Sequence, residues 1–239
     1  MDITNKILTD SLNSSNPELS QTIALRINQM RQWAQSLRES QSEQDPMWQK
    51  AIMMIDYQCR CAKQHLQGIH QLPGVTGESN ELWLEPRGKT AIIIGPSMPV
   101  KAITATLTAT LISGNQAILF IHETFQPYTN GLIEQIKNRF APPDAIELCN
   151  YQDWSKNIKD PEIKMVCIAA PKDEIINANR ILSTREGEII PLLYDSDEKL
   201  PQFSKDSFCI HFNTEKVCTI NTTAIGGNAS LLEISSAKV

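Results

Sequence analysis

The sequence predicts an α/β protein with a Rossmann-like, mostly parallel, doubly wound sheet, an N-terminal helical pair and a C-terminal antiparallel β-flap hairpin. Two apolar stripes with helical spacing come first along the chain. From Thr90 onward, short β-branched runs alternate with helical segments, which is the pattern of parallel strands joined by crossover helices. Beyond residue 200 the alternation ends, and short strand-like segments follow a polar stretch.

The length of 239 residues suits one domain of ordinary size with a small appendage. We expect a disordered N-terminus at residues 1–15, the helical pair at 16–71, the Rossmann-like core at 72–200, and the C-terminal β-strands and flap at 201–239.

Charge and composition exclude several classes of function. The net charge of −5 and the absence of a basic block argue against nucleic acid as a partner. No apolar run approaches the roughly 20 residues of a membrane span, and no signal-peptide pattern is present, so we expect a cytoplasmic protein. The six cysteines form no CxxC pair, and the four histidines complete no ligand set, which predicts reduced thiols and no metal site.

The first helix is predicted from Asn16, with a capping residue, a proline and an acid in the first turn, to about Arg38. The second is predicted from Pro46 to about Gly68, and the short polar loop between them makes the pair antiparallel. Each helix has one apolar stripe: Ile23, Ile27, Met30 and Trp33 in the first, and Trp48, Ile52, Ile55 and Cys59 in the second.

After a turn-rich bridge at residues 72–80, the alternation of Glu81–Glu85 predicts a strand. The run Thr90–Ile94 predicts a strand that is buried on both faces. The remaining core strands are predicted at residues 116–121, 145–148, 165–169 and 189–193, with helices at 100–113, 127–140 and 173–186 and a short helix around residue 153. Antiparallel strands are predicted at residues 207–212, 217–220 and 230–234.

The turn from Gly95 to Pro99 follows a predicted parallel strand, at the edge of the sheet where such folds bind ligands. It contains one glycine where a dinucleotide-binding fingerprint has three, and its two prolines lack the N–H groups that would face a phosphate. A structural turn is therefore favoured, and a residual dinucleotide-binding module stays open as the alternative.

The segment Gly226-Gly227-Asn228 raises the choice between a phosphate-binding loop and a turn between two strands. A phosphate loop must open a helix, and too few residues follow here for a helix that packs on a sheet. Glycine and asparagine tolerate positive φ, so the segment predicts a hairpin turn.

No catalytic group is evident. The sequence has no Gly-x-Ser-x-Gly elbow. Cys149, Cys167 and Cys209 lie in or beside apolar strands, where burial suppresses the thiolate. The acidic pairs Asp195/Asp197 and Asp173/Glu174 suit a loop and a first helical turn rather than a catalytic pocket.

The strand–turn–helix–strand unit from Thr90 to Ile121, with Ser113-Gly-Asn115 at the end of its helix, resembles the first cofactor-binding unit of aldehyde dehydrogenases. Several family residues are missing. Ser97-Met98 stands where the family has the asparagine that helps to stabilise the oxyanion, and Phe120 replaces the cofactor-contacting lysine, although Glu123 matches. The family's catalytic cysteine segment and its Glu-Leu-Gly-Gly motif occur nowhere.

From about Ile23 the chain also resembles the C-terminal domain of long proline utilisation A proteins, the bifunctional proline dehydrogenase/1-pyrroline-5-carboxylate dehydrogenases. The motifs are Leu72-Pro-Gly-Val-Thr-Gly-Glu-Ser-Asn80, Pro86-Arg-Gly88 and the segment from Ile220 to Leu231. The resemblance implies a degenerate, non-catalytic aldehyde-dehydrogenase-type core. It also implies a β-flap that packs on the enzyme's own aldehyde dehydrogenase domain and covers the cavity through which 1-pyrroline-5-carboxylate passes.

The resemblance implies no catalytic residue and no cofactor bound by this chain, with NAD and FAD belonging to the parent enzyme. A vestigial cofactor site is expected near Gly95, Pro96, Ser97 and Phe120. The expected partner is the aldehyde dehydrogenase domain, in cis or as a separate chain. The alternatives are a hairpin that completes this domain's own sheet and a self-standing aldehyde-dehydrogenase-like oxidoreductase. The expected interface residues are Ile220, Asn221, Thr222, Gly226, Gly227, Asn228, Leu231 and Ile234.

Overall fold

The computed structural model describes most of the chain as two compact units. The described residues are 17–40, 45–66, 68–75, 77–139, 142 and 144–221. Among them, residues 68–84 and 215–221 form the smaller unit, and residues 17–66 and 85–214 form the larger one. The predicted disordered N-terminus and the predicted strand at residues 230–234 lie outside the described residues.

The larger unit begins with the predicted helical pair, α1 (Pro17–Ser40) and α2 (Pro46–His65). Asp45 caps α2, because its carboxylate accepts a hydrogen bond from the Met47 amide at 2.8 Å. The predicted apolar stripes are buried, including Trp33 and Ile55, which are both fully inaccessible to solvent. Helix α2 ends earlier than predicted, where the Leu66 amide donates to the Ala62 carbonyl.

A five-stranded parallel sheet forms the core of this unit, which confirms the predicted α/β class. The strands are β3 (Lys89–Ile94), β4 (Gln116–Ile121), β5 (Ile146–Cys149), β6 (Ile163–Ala169) and β7 (Leu192–Asp195). Their order in the sheet is β5-β4-β3-β6-β7. Central strand β3 is buried from Thr90 to Ile94, as its continuous β-branched run predicts.

Helices alternate with these strands. They are α3 (Lys101–Ile112), α4 (Gln126–Arg139), α5 (Trp154–Asn157) and α6 (Lys172–Ser183), with 3-10 turns at Glu123–Phe125, Tyr151–Asp153 and Phe208–Phe212. Helix α3 is buried from Ala102 to Ile112, so it packs on all sides. Three of its threonines bond their hydroxyls to backbone carbonyls inside the core: Thr104, Thr106 and Thr110.

The smaller unit contains most of a three-stranded antiparallel sheet. The strands are β1 (His70–Leu72), β2 (Glu78–Pro86) and β8 (Asn213–Asn221), in the order β1-β2-β8. The predicted bridge at residues 72–80 is wrong in part, because it contains the end of β1 and the beginning of β2. Its turn chemistry is that of a hairpin loop, with Gly77 at φ +90°.

Two further predictions are wrong. Residues 207–212 do not form a strand, because Phe208 and Phe212 lie one helical turn apart in a 3-10 segment and their rings meet edge-on at 5.0 Å. Strand β7 begins at Leu192 rather than Ile189, whose side chain is 99% exposed. The Pro191 carbonyl accepts the Val166 amide and thereby sets the register of β7.

Candidate functional site

The sequence places its candidate ligand crevice at the carboxyl edge of the parallel sheet, and the strand order defines where it lies. From β3 the chain moves outward through β4 and β5, then returns to β6 and moves the other way to β7. Ligands of doubly wound folds bind at such a reversal, here between the ends of β3 and β6. Gly95, Pro96 and Ser97 follow β3 at this point.

Gly95 brings the ends of β3 and β6 together. Its amide donates to the Ala169 carbonyl at 2.7 Å. A Cβ at this position would lie 3.0 Å from the Ala170 Cβ and 3.2 Å from the Pro171 Cδ. The glycine is therefore required by contact between two strand ends.

Two of the amides that could hold a phosphate are engaged. The Met98 amide donates to the Gly95 carbonyl at 3.3 Å, and the Ala102 amide donates to the Pro99 carbonyl at 2.8 Å. Pro96 and Pro99 have no N–H group. The turn after β3 thus has fewer donors than a glycine-rich turn that serves as an anion site.

Phe120 does not lie at the surface of this crevice. It is fully buried and packs with Trp154, Ile168 and other members of the core on one side of the sheet. Its partner on the neighbouring strand is Ile93. Where the resembling family has a lysine for its cofactor, this chain has an aromatic core residue.

Three polar residues lie together at this edge: His122, Tyr151 and Glu174. The sequence patterns did not identify His122, which follows β4, or Tyr151, which follows β5. Glu174 lies in the first turn of α6, where the sequence placed it. The Tyr151 hydroxyl donates to a Glu174 carboxylate oxygen at 2.5 Å, and the His122 and Tyr151 rings meet edge-on at 5.0 Å. Burial, reinforced by Glu174, raises the pKa of Tyr151.

This cluster connects strand ends that are not neighbours. In the order β5-β4-β3-β6, the Tyr151–Glu174 bond joins the end of β5 to the helix that follows β6. It therefore joins segments that follow two strands separated in the sheet by β4 and β3. Only His122 comes directly after its strand, since Asn150 separates Tyr151 from β5 and Glu174 lies inside α6. A search for glycine-rich loops uses none of these positions.

Five of the six thiols lie in environments that suppress reactivity. Burial raises the pKa of Cys59 and Cys209 to about 12 and that of Cys167 well above its ordinary value. Burial also raises the pKa of Cys61 and Cys149. Thiols with such pKa values are protonated at neutral pH and are poor nucleophiles.

Among the residues that the structure describes, no group of three or more His, Cys, Asp or Glu side chains could hold a metal ion. Nor is any helix within the described ranges long and apolar enough to cross a membrane.

Two motifs of the resemblances meet at Asn115. Its side-chain oxygen accepts the Gly88 amide at 2.7 Å, and its side-chain NH₂ donates to the Phe212 carbonyl at 2.7 Å. The Arg87 guanidinium donates to the His211 carbonyl at 2.8 Å. Pro86-Arg-Gly88 and Ser113-Gly-Asn115 therefore fix the segment that leads into β8.

The three-stranded sheet exposes apolar side chains. Val75 and Val217 are 68% and 57% exposed, and Leu72 lies on the outermost strand of the sheet, β1. Of the predicted interface residues, Ile220 is half-buried and Asn221 is exposed, both near the end of β8. The others lie outside the described residues: Thr222, Gly226, Gly227, Asn228, Leu231 and Ile234.

Comparison with known proteins gives the chain's relatives. No family model matches it. A curated relative, the bifunctional protein PutA of Rhizobium meliloti, is 27% identical over 166 residues, which cover 69% of this chain and 12% of PutA.

Several solved structures are similar to this chain in fold. Proline utilization A of Bradyrhizobium japonicum gives a TM-score of 0.66 at 18% identity, covering 82% of this chain and 22% of that one. Proline utilization A of Bdellovibrio bacteriovorus gives a TM-score of 0.63 at 17% identity, covering 76% of this chain and 20% of that one. A 3,6-anhydro-L-galactose dehydrogenase gives a TM-score of 0.61 at 14% identity, covering 76% of this chain and 41% of that one.

The fold is similar to that of a putative aldehyde dehydrogenase of Burkholderia cenocepacia, with a TM-score of 0.65 at 14% identity over 77% of this chain and 41% of that one, as well as to the proline utilization A structures. In sequence the chain is related to PutA, and it spans about an eighth of that relative's length. Both resemblances predicted from the motifs are thereby confirmed.

Proposed function

We propose that this chain is a non-catalytic, aldehyde-dehydrogenase-like domain of a proline catabolism enzyme. It supports NAD-dependent oxidation of 1-pyrroline-5-carboxylate, or its hydrolysed form glutamate semialdehyde, to glutamate. It does so by docking its β-flap on an aldehyde dehydrogenase domain, in cis or on a separate chain, and covering the cavity through which the intermediate passes. NAD and FAD are held by the catalytic domains.

The observation that carries this proposal is the three-stranded sheet β1-β2-β8. Exposed valines lie beside β1 and on β8, and β1 has a neighbouring strand on one side only within the described residues. An open strand edge with exposed apolar side chains is a template for pairing with another sheet. The sheet thus has the chemistry of a docking element.

The crevice and the thiols support the non-catalytic part. Gly95 is packed against Ala170, and the Tyr151 hydroxyl is held by the Glu174 carboxylate. Buried thiols with raised pKa values favour neither nucleophilic attack nor acyl transfer. Together these features favour a scaffold over an active dehydrogenase.

The test uses a bifunctional proline dehydrogenase/aldehyde dehydrogenase that lacks this domain, mixed with the present chain. NADH formation from proline is followed, and the lag before steady state reports escape of the intermediate. We expect the chain to shorten the lag and raise the rate. Absence of both binding and any change in the lag would sink the proposal.

Matched variants make the test specific. Val75→Asp/Val217→Asp places charges on exposed valines of the three-stranded sheet unit, beside β1 and on β8, and should abolish the effect. Ile189→Asp introduces the same kind of charge at a 99% exposed apolar residue beside the parallel sheet and should leave it intact. If the two proteins behave alike, the flap is not the docking element.

A residual dinucleotide-binding module is the second candidate. The strand order favours it, because β3, its turn and α3 lie at the reversal that binds dinucleotides in related folds. Direct titration with NAD distinguishes the two.

A further inference from the structure

The larger unit contains a groove, distinct from the crevice, between α2, the start of α3 and the segment after β7. Its volume is about 550 Å³. The residues that define it here are three cations, two side chains with apolar surface and one carboxylate: Lys50, Arg60, Lys101, Met53, Tyr57 and Glu198.

The charge of this groove opposes that of the chain. The protein has a formal net charge of −5, yet three cations face a single carboxylate here. Within the described ranges none of Lys50, Arg60 and Lys101 is in an ion pair. Lys101 donates to the Lys199 carbonyl at 3.2 Å, which leaves its positive charge unneutralised.

The apolar part of the groove is presented to solvent. Met53 is 68% exposed, although it lies on a helix whose other face is buried. The Tyr57 hydroxyl donates to the Ser204 carbonyl at 2.7 Å, which fixes the ring, and the Arg60 guanidinium lies 5.9 Å from the ring centre. An exposed methionine beside a fixed aromatic ring is suited to bind another apolar side chain.

The spacing of the cations determines the size of the ligand. Lys50 and Arg60 are ten residues apart on α2, which corresponds to about 15 Å along the helix axis. An extended peptide advances about 3.3 Å per residue, so a segment of roughly five residues reaches from one cation to the other.

We propose that this groove docks an acidic segment of a partner protein, with an apolar side chain on Met53 and Tyr57 and carboxylates facing Lys50, Arg60 and Lys101. The charge complementarity and the separation of the cations select this occupant. The proposal uses elements other than β1, β2 and β8, so it does not depend on the docking of the flap.

The probe is a fluorescein-labelled ten-residue peptide in which glutamate alternates with leucine, and its binding to the full chain is followed by fluorescence anisotropy. We expect saturable binding that weakens at least about tenfold when the glutamates are replaced by glutamines, because complementary charges carry the specificity. Equal binding of both peptides, or no binding of the acidic one, would overturn the proposal.

Charge reversal locates the site. Lys50→Glu/Arg60→Glu should lower the affinity of the chain for the acidic peptide by about tenfold or more. Lys63→Glu/Lys137→Glu makes the same change in net charge at exposed lysines outside the groove and should leave affinity within about twofold. Equal losses in the two variants would show non-specific attraction and contradict the proposal.

Competition identifies the class of ligand. Succinate and vesicles of phosphatidylglycerol are added to the peptide complex of the unmodified chain. We expect neither to displace the peptide at concentrations comparable to its own. Displacement by succinate would assign the groove to small organic anions, displacement by vesicles would assign it to a membrane surface, and either result would overturn the proposal.

Discussion

At the scale of single residues, Asn115 connects three parts of the larger unit. It is buried and satisfies the Gly88 amide and the Phe212 carbonyl at once. Asn115→Ala leaves a partly buried donor and a buried acceptor without partners. We expect it to lower the free energy of unfolding by about 2–4 kcal/mol, measured by urea denaturation.

The control is Asn157→Ala. The Asn157 side chain also donates to a backbone carbonyl, that of Asp153, at 2.8 Å, but at an exposed position. Water replaces that bond, so the loss should stay below about 1 kcal/mol. Equal losses in the two variants would show that the Asn115 bonds are not what fixes the segment before β8.

The buried thiols make stability depend on alkaline pH. Cys59 and Cys209 have pKa values of about 12 in the folded protein against an ordinary value of 9.0. Above pH 9 the unfolded chain loses these protons while the folded protein keeps them, so their contribution to stability is complete below that pH and is lost as the pH rises. Between pH 8 and 10, ionisation of the two thiols in the unfolded chain should lower the free energy of unfolding by about 2–3 kcal/mol, measured by urea denaturation.

Other groups also titrate in this range, and a variant separates them. Cys59→Ala/Cys209→Ala should be less stable at pH 8 but should show a flatter decline toward pH 10. An unchanged slope would mean that these thiols do not have raised pKa values.

At the scale of elements, the β1–β2 hairpin depends on Gly77. This residue has φ +90°, a conformation that disfavours a β-branched residue. We expect Gly77→Val to speed amide exchange in β1 and β2 by about tenfold or more, because a strain of 1–2 kcal/mol corresponds to this factor. Hydrogen–deuterium exchange resolved by peptide measures it, and β3, β4 and β6 should keep their protection.

Gly187→Val is the matched control, since Gly187 has φ +93° and a Cβ placed on it would meet no atom within 4 Å. Its effect should be confined to the segment between α6 and β7. Faster exchange of the hairpin in this variant as well would indicate global rather than local destabilisation.

Element by element, prediction succeeded where burial imposes one pattern. Strands β3 and β4 were predicted to within one residue, because a strand covered on both faces needs a continuous apolar run. Strand β1 was missed, since its three exposed residues have no periodicity to detect. The 207–212 segment was assigned wrongly because its aromatic residues fit both a strand and a helical turn.

At the scale of the whole molecule, the parallel sheet has the strand order of a dinucleotide-binding fold. We expect calorimetric titration with NAD to give no saturable heat up to about 1 mM, because the turn after β3 has two prolines without N–H groups and its Met98 amide is engaged by the Gly95 carbonyl. A catalytically active aldehyde dehydrogenase serves as the positive control. Micromolar binding would revive the alternative of a residual dinucleotide-binding module.

Consecutive residues were enough to specify the α/β class, the helical pair, the central strands and the relation to aldehyde dehydrogenases and PutA. These features follow from local periodicity, turn chemistry and short motifs, each of which is written within a few neighbouring positions. The same reasoning located Gly95, Pro96 and Ser97 at the carboxyl edge of the sheet.

What surrounds those residues came from packing between distant segments. The contact of Gly95 with Ala170, the burial of Phe120 and the Tyr151–Glu174 bond join positions that are far apart along the chain. The pairing of β8 with β2 and the cations of the α2 groove likewise arise from distant segments. Such contacts depend on how the elements pack in three dimensions, and local sequence patterns do not predict them.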